Sequence, residues 1–243
     1  MLYLETISPL AAAPAGFPRR GGRPYLPGSQ LRDAFLTAAL AYAIRHDAGF
    51  AAEMRRLVVH GYKGDAGGLA GAMEEELLRR QPELAGLRFA DVPLERVDDE
   101  AVLVYDVRRE EADRYVKLET FSGRSEAVVE LPPELETWLG AAARSYSEAL
   151  ATAEWEALRE GLPQSEPFYQ KLKSRVLKQA DWPLRAGYWT PEPEGGRLLA
   201  LARLEAAARA LERRFGVRPL PRRILFSPTA AAGLGWLVLR RES

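Results

Sequence analysis

The order of apolar and polar residues predicts strands at both ends of the chain and in its middle. Residues 2–7 alternate and predict a short strand. Runs of β-branched and aromatic residues follow between residues 87 and 131, and Ser122-Gly123-Arg124 between the last two runs, VKLETF and EAVVEL, predicts a hairpin. Near the C-terminus, RRILF and GWLVL predict two closing strands. We expect strands from the two ends of the chain to meet in one sheet.

Helical periodicity occupies the segments between these strands. Ser29 suits the N-cap of a first helix, whose apolar residues, such as Leu31 and Phe35, share one side. Two segments rich in Gly and Pro predict loops, namely residues 8–28 and 183–196. Further helices are predicted at residues 51–60, 70–80, 131–161, 166–180 and 197–216, the last ending at Gly216. This mixture of elements indicates an α+β fold.

Composition removes several classes of function. The 243 residues include no cysteine and two histidines, which excludes disulfides, thiolate metal sites and a cysteine nucleophile. Walker, GxSxG, HExxH and dinucleotide motifs are absent, so we expect neither a metal nor another cofactor. The longest apolar stretch has 11 residues (34–44), whereas a membrane span needs about 20. With no signal-peptide pattern at the start, we expect a cytoplasmic protein that does not contact membranes.

The distribution of charge along the chain says more about possible partners than the net charge does. The 34 basic and 34 acidic residues cancel. Residues 1–60 nevertheless hold seven Arg against four acids, and residues 212–243 hold seven Arg against two Glu. Residues 71–137 carry eighteen acids and nine bases. Because arginine forms bidentate contacts with phosphate, a basic face on this neutral body remains compatible with a nucleic-acid partner.

The segment YLPGSQLRDAF is the strongest candidate for anion binding. Pro27 and Gly28 form a tight turn, and Ser29 opens a helix whose first N–H groups point out of the helix end. Arg32 adds a full positive charge one turn later. The same residues are also typical of an ordinary helix N-terminus without a ligand.

The same segment resembles the RAMP superfamily of CRISPR proteins, whose first helix opens with Y-[IL]-P-G-S-[SQ]-[LI]-[KR]-x-A-[LFI]. Three further segments resemble family motifs in the expected order, namely LRFADVPL, KLETFSGRSEAVVEL and LPRRILFSPTAAAGLGWLVL. Within this superfamily, the chain resembles the subunit that caps the 3′ end of the crRNA in type III-A Csm complexes. The resemblance implies a ferredoxin-like (RRM-like) RAMP fold with additional helices. Residues 1–243 would form a single RAMP-type domain, with helical insertions around 51–85 and 134–180.

The resemblance also implies a non-catalytic RNA-binding subunit of a type III effector complex in antiviral defence. Its partners would be the 3′ part of the crRNA and neighbouring RAMP subunits, with the RNA crossing the sheet face and the N-terminus of the first helix. Arginines would neutralise phosphates, and aromatic side chains would stack on bases. The residues so implicated are Arg19, Arg20, Arg23, Tyr25, Gly28, Ser29, Arg32, Arg185, Gly187, Tyr188, Trp189, Arg222 and Arg223.

Two other functions remain open from the sequence. The C-terminal GLGWLVL resembles the glycine-rich end of crRNA-processing RAMP endoribonucleases, in which case His46 or His60 would perform metal-independent acid–base cleavage. The alternative interpretation is that one histidine caps a helix C-terminus and the other is a surface residue. The third possibility is a RAMP-like protein that only bridges protein subunits. Trp236 and Phe226 are predicted to lie in the core.

Overall fold

A computed structural model describes residues 2–189, 198, 200–201, 204–217 and 222–241 of the chain. Its strands are β1 (Leu2–Thr6), β2 (Arg19–Arg20), β3 (Arg23–Leu26), β4 (Arg88–Phe89), β5 (Val92–Pro93), β6 (Asp98–Asp106), β7 (Glu111–Thr120), β8 (Arg124–Ala127), β9 (Val129–Glu130), β10 (Trp182–Arg185), β11 (Arg223–Ser227), β12 (Ala232–Gly233) and β13 (Trp236–Arg241). Its α-helices are α1 (Gly28–His46), α2 (Ala48–Arg56), α3 (Ala66–Arg80), α4 (Pro133–Leu158), α5 (Glu166–Lys171), α6 (Leu177–Gln179) and α7 (Glu205–Phe215).

Shorter helical turns extend three of these helices. A π-helical turn, Leu57–Gly61, continues α2, and a second one, Leu172–Val176, joins α5 to α6. A 3-10 turn, Pro82–Gly86, follows α3. Within the described residues, no helix combines the length and the apolar character that crossing a membrane requires.

The first sheet joins the two ends of the chain. Its strand order is β10–β13–β1–β8, and every pairing is antiparallel. Leu4 lies opposite Leu239 in the β1–β13 ladder. This confirms the expectation that strands from both ends meet in one sheet.

The second sheet has the order β12–β11–β6–β7, and two smaller sheets pair β2–β3–β5 and β4–β9. The predicted hairpin at Ser122-Gly123-Arg124 is wrong. Strand β7 pairs with β6 in the second sheet, whereas β8 pairs with β1 in the first. The turn therefore carries the chain from one sheet to the other, and the backbone N–H of Thr6 holds it by donating to the carbonyl of Gly123 at 2.9 Å.

Strand β13 contributes to two hydrophobic cores. Leu237 and Leu239 face the core formed with helices α1 to α4, while Trp236 and Val238 face the core shared with the second sheet and α5. Burial on both faces explains why GWLVL is a continuous apolar run rather than an alternating one. Trp236 and Phe226 are 1% and 0% exposed, which confirms their prediction as core residues.

Several predicted boundaries need correction. Helix α1 begins at Gly28 rather than after Ser29, and its N-cap residue is Pro27, whose side chain forms no capping hydrogen bond. A Cβ at Gly28 would collide with the carbonyl oxygen of Phe89, so glycine lets the first turn pack closely against β4. The predicted loops at 8–28 and 183–196 contain β2, β3 and β10, although residues 190–197 lie outside the described residues.

Most of the predicted helices are present. Helix α7 ends at Gly216, which has a φ of 67°, as the sequence predicts, although part of its predicted beginning lies outside the described residues. Helices also occupy most of 51–85 and 134–180. That these are insertions into a single domain stays a prediction.

Candidate nucleic-acid interface

Strands β2 and β3 form a tight hairpin that displays arginine on both sides of its turn. Gly21 and Gly22 have φ values of 59° and 80°, as a two-residue type I′ turn requires. In the ladder, Arg20 lies directly opposite Arg23. Like charges in directly opposed positions destabilise a hairpin, so this pair needs a neighbouring negative charge. We call Arg19, Arg20, Arg23 and Tyr25 the arginine hairpin.

Only some of the arginines in the arginine hairpin form ion pairs with carboxylates. Arg20 lies 2.9 Å from an oxygen of Asp91, and its guanidinium carbon lies 5.3 Å from the ring centre of Tyr25. Arg20 nevertheless keeps 78% of its side chain exposed. Arg23 is exposed and forms no ion pair with any residue that the structure describes. The hairpin therefore offers positive charge to solvent.

Arg19 has a different role, because it anchors the hairpin to β7. Its guanidinium donates to Glu119, which also accepts the backbone N–H of Phe17 at 2.9 Å. The hydrogen bond from Arg19, followed by that from Phe17, lowers the pKa of the Glu119 carboxyl below its usual value. Arg19 thus holds the hairpin in place.

The N-terminus of α1 is adjacent, but a carboxylate already occupies it. Asp91 accepts the backbone N–H of Gly28 at 3.1 Å with one oxygen and binds Arg20 with the other. Ser29 is exposed, while Arg32 lies 3.8 Å from Glu74 on α3. The predicted phosphate site at Gly28 is thus filled by Asp91.

A groove runs beside the arginine hairpin, between β3–β5 and the first sheet. Its lining includes Tyr3 of β1, Arg23 of β3, Glu95, and Arg124 and Glu126 of β8. The guanidinium carbon of Arg124 lies 3.8 Å from the ring centre of Tyr3. Sequence analysis missed this groove, although alternation in β1 places Tyr3 on the side opposite the buried Leu4.

Arg185 lies inside the protein, which corrects its prediction as a phosphate ligand. Its side chain and that of Glu154 are both 0% exposed and form an ion pair. The Tyr169 hydroxyl and the Trp236 indole N–H each donate to Glu154 at 3.1 Å. The guanidinium carbon of Arg185 lies 4.3 Å from the ring centre of Trp189.

The electrostatics of this cluster are those of a buried structural pair. Burial raises the pKa of the Glu154 carboxyl, and the charge and hydrogen bond of Arg185 oppose that rise. Burial, followed by the charge of Glu154, raises the pKa of Tyr169 well above its usual value. The positive charge of Arg185 is therefore paired with Glu154 inside the core and does not reach a phosphate at the surface.

The other predicted RNA-binding residues of the segment 183–196 pack against the N-terminal segment. Gly187 has a φ of 78°, and a Cβ there would collide with the carbonyl of Ala11. The backbone N–H of Tyr188 donates to the same carbonyl at 2.7 Å, and Trp189 is buried. Burial removes Trp189 from the bases that it was predicted to stack on, while Tyr188 remains half-buried.

Arg222 and Arg223 lie far from the arginine hairpin. They lie 3.4 Å from Asp106 and 3.6 Å from Asp113, at one end of the β6–β7 ladder. Arg19 binds near the opposite end, at Glu119. The two ends are separated by seven residues of β6, from 99 to 106, or about 23 Å. That Arg222 and Arg223 flank the same RNA path as the arginine hairpin stays a prediction, and such a path would have to span this distance.

The two histidines line separate sites. The ring of His46 lies 4.2 Å from that of Tyr42 at the end of α1. His60 lines a small pocket with Glu53 and Glu76, whose carboxylates pair with arginines of α3. The two carboxylates beside His60 are already paired with arginines, so no observation favours the nuclease alternative.

Comparison with known proteins adds the fold family. No model of a known protein family matches the chain. An uncharacterized protein of Aquifex aeolicus (strain VF5) is 26% identical over 242 residues, which cover 97% of this chain and 98% of that protein. Among solved structures, T. onnurineus Csm5 matches with a TM-score of 0.57 and 18% identity, covering 91% of this chain and 73% of Csm5.

A second solved structure also has a similar fold. A chain of a Csm–crRNA–target RNA ternary complex from a type III-A CRISPR-Cas system matches with a TM-score of 0.61 and 17% identity, covering 92% of this chain and 74% of that chain. This chain has the fold of these Csm proteins. The expected α+β fold of the RAMP type is thereby confirmed.

Proposed function

We propose that this chain is a non-catalytic RNA-binding subunit of a type III CRISPR effector complex. Its fold, shared with Csm proteins, supports the class of assembly, because one of the matched structures contains crRNA and target RNA. The observation that carries RNA binding is the arginine hairpin, in which Arg20 and Arg23 oppose each other and remain exposed. The RNA contacted is the crRNA, in its 3′ part.

The hairpin suits phosphate for a physical reason. Repulsion between Arg20 and Arg23 is only partly relieved by Asp91, and a phosphate placed between the guanidinium groups would relieve the rest. Asp91 and Glu119 keep the local net charge small. The isolated protein should therefore bind single-stranded RNA weakly, and the assembled complex would hold the RNA through many such contacts.

Neighbouring RAMP subunits are the proposed protein partners. In the described sheet, β7 has a strand neighbour on one side, namely β6, so its other edge carries unpaired backbone groups. Tyr115 on β7 is 64% exposed, a high value for a large aromatic residue on a strand. Both features support a protein contact along β7.

Charge reversal at Arg23 tests RNA binding. Arg23→Glu should weaken binding of a fluorescein-labelled single-stranded RNA about 5- to 150-fold, which corresponds to about 1–3 kcal/mol for a charge-assisted contact that is lost and reversed. The measurement is fluorescence anisotropy from 50 to 300 mM salt. If one phosphate contact is lost, the slope of log K against log salt should become shallower by about 0.7.

Arg175→Glu is the matched control, because Arg175 is also exposed but lies in the π-helical turn after α5. Equal RNA affinities of the two variants would contradict the proposal. Gel analysis of the same RNA after incubation without metal tests the nuclease alternative, and we expect the RNA to remain intact. Co-expression with neighbouring subunits should recover this chain together with short RNA.

A further inference from the structure

The groove beside the arginine hairpin holds four charged side chains that do not neutralise one another. Arg23, Glu95, Arg124 and Glu126 all line it and are all exposed. None of the four forms an ion pair with a residue in the described part of the chain. Two positive and two negative groups held apart in one groove fit a ligand that presents both anionic and hydrogen-bond-donating groups.

Tyr3 and Arg124 form a stacking platform in this groove. Tyr3 belongs to β1, which has a strand on each side, so the backbone beneath its ring is firmly held. The guanidinium of Arg124 covers the ring at 3.8 Å. Arg124 is exposed, and guanidinium planes stack on nucleobases as aromatic rings do.

We propose that this groove is a nucleotide subsite that selects bases bearing an amino group. This inference rests on the proposed function and extends it. A base stacks on Arg124 over Tyr3, while Arg23, which also belongs to the arginine hairpin, meets the adjoining phosphate.

The carboxylates of Glu95 and Glu126 provide the selectivity. Ionised carboxylates only accept hydrogen bonds, so they pair with the exocyclic amino groups of cytosine, adenine and guanine. The Watson–Crick edge of uracil presents two carbonyl oxygens beside its single N–H, and these oxygens repel carboxylates. The groove should therefore prefer cytosine and adenine to uracil at one position of the bound RNA.

The test compares labelled rC12, rA12 and rU12 on the full chain by fluorescence anisotropy at low salt. Wild type should bind rC12 and rA12 at least fivefold more tightly than rU12. The isosteric variant Glu95→Gln/Glu126→Gln should bring these ratios within about twofold of unity. Glu130→Gln, at another exposed strand carboxylate, is the matched control and should leave the ratios unchanged.

A second variant tests the stacking platform. Arg124→Leu should weaken binding of all three RNAs roughly tenfold or more, because it removes the plane on which the base stacks. Arg175→Leu is its control and should bind as wild type. Circular dichroism checks that each variant is folded, and the ratios between RNAs do not depend on the folded fraction.

The outcomes separate the subsite from the proposed function. If Arg23→Glu weakens RNA binding but wild type binds the three RNAs equally, the subsite is refuted and the proposed function stands. If the three RNAs differ but the double glutamine variant retains the preference, the selectivity assigned to Glu95 and Glu126 is refuted. If wild type binds none of the RNAs, alone or with its partner subunits, both proposals fail together.

Discussion

Replacing Arg185 with methionine separates a core role for this arginine from an RNA-binding role. Arg185 and Glu154 are fully buried, so the variant leaves a carboxylate inside the protein with only neutral donors, Tyr169 and Trp236. Removing one partner of a buried ion pair destabilises a protein by about 3–5 kcal/mol. In a chain of this length, that loss corresponds to a melting temperature lower by about 6–20 °C.

Urea unfolding followed by tryptophan fluorescence measures this loss, since Trp189 and Trp236 lie beside the guanidinium. The pKa of Glu154, which burial already raises, should rise further in the variant because Arg185 no longer opposes the effect. An acid whose pKa is raised on folding gives greatest stability below its unfolded pKa, and this stability is lost as pH rises through the folded pKa. The variant should therefore lose more stability at pH 8 than at pH 5.

Two further measurements test the core role of Arg185. Arg185→Met combined with Glu154→Gln should recover most of the lost stability, because no unpaired charge then remains in the core and the amide oxygen still accepts from Tyr169 and Trp236. Unchanged stability of Arg185→Met together with weaker RNA binding would show that Arg185 contacts RNA, and the core assignment would be refuted.

Two further predictions concern the segment around the arginine hairpin. Glu119→Gln should lower the free energy of unfolding at pH 7 by about 1 kcal/mol. The difference from wild type should vanish in acid, because the pKa of Glu119 is lowered and its contribution to stability is lost as the pH falls through that pKa. An equal difference at all pH values in urea titrations would contradict this. Gly28→Ala should lower the free energy of unfolding by about 1–3 kcal/mol, since the Cβ collides with Phe89, although alanine normally stabilises a helix. Ser29→Ala, as its control, should change the free energy of unfolding by less than about 0.5 kcal/mol because Ser29 does not cap α1.

The sequence predicted local structure well where apolar residues formed a clear pattern, either periodic or continuous. It located β1, β13 and the main helices, and it placed the end of α7 at Gly216. It missed the β2–β3 hairpin, because each strand is very short and consists largely of Arg and Pro, residues that do not form a period-2 pattern. The Gly21-Gly22 pair was the available signal, since two adjacent glycines favour a type I′ turn.

The candidate site was only partly predictable. The sequence singled out Arg20 and Arg23 as RNA-binding candidates, and the structure places both on one exposed turn, while their binding of RNA stays a prediction. Tyr3 and Arg124 are more than a hundred residues apart, and only pairing of β1 with β8 brings them together. Residues that meet across such distances leave no signal in local spacing.

What the sequence determined by itself was the main helices, the strands at the two ends of the chain and the excess of positive charge near the N-terminus. Only the tertiary structure decided which charges remain available. Arg185 is buried against Glu154, and Arg19 is held by Glu119, a hundred residues away. Arg23 meets no such partner among the described residues. Whether an arginine binds a ligand or holds the fold together depends on which carboxylate folding brings to it, and that pairing is set by sheet topology rather than by neighbours in the chain.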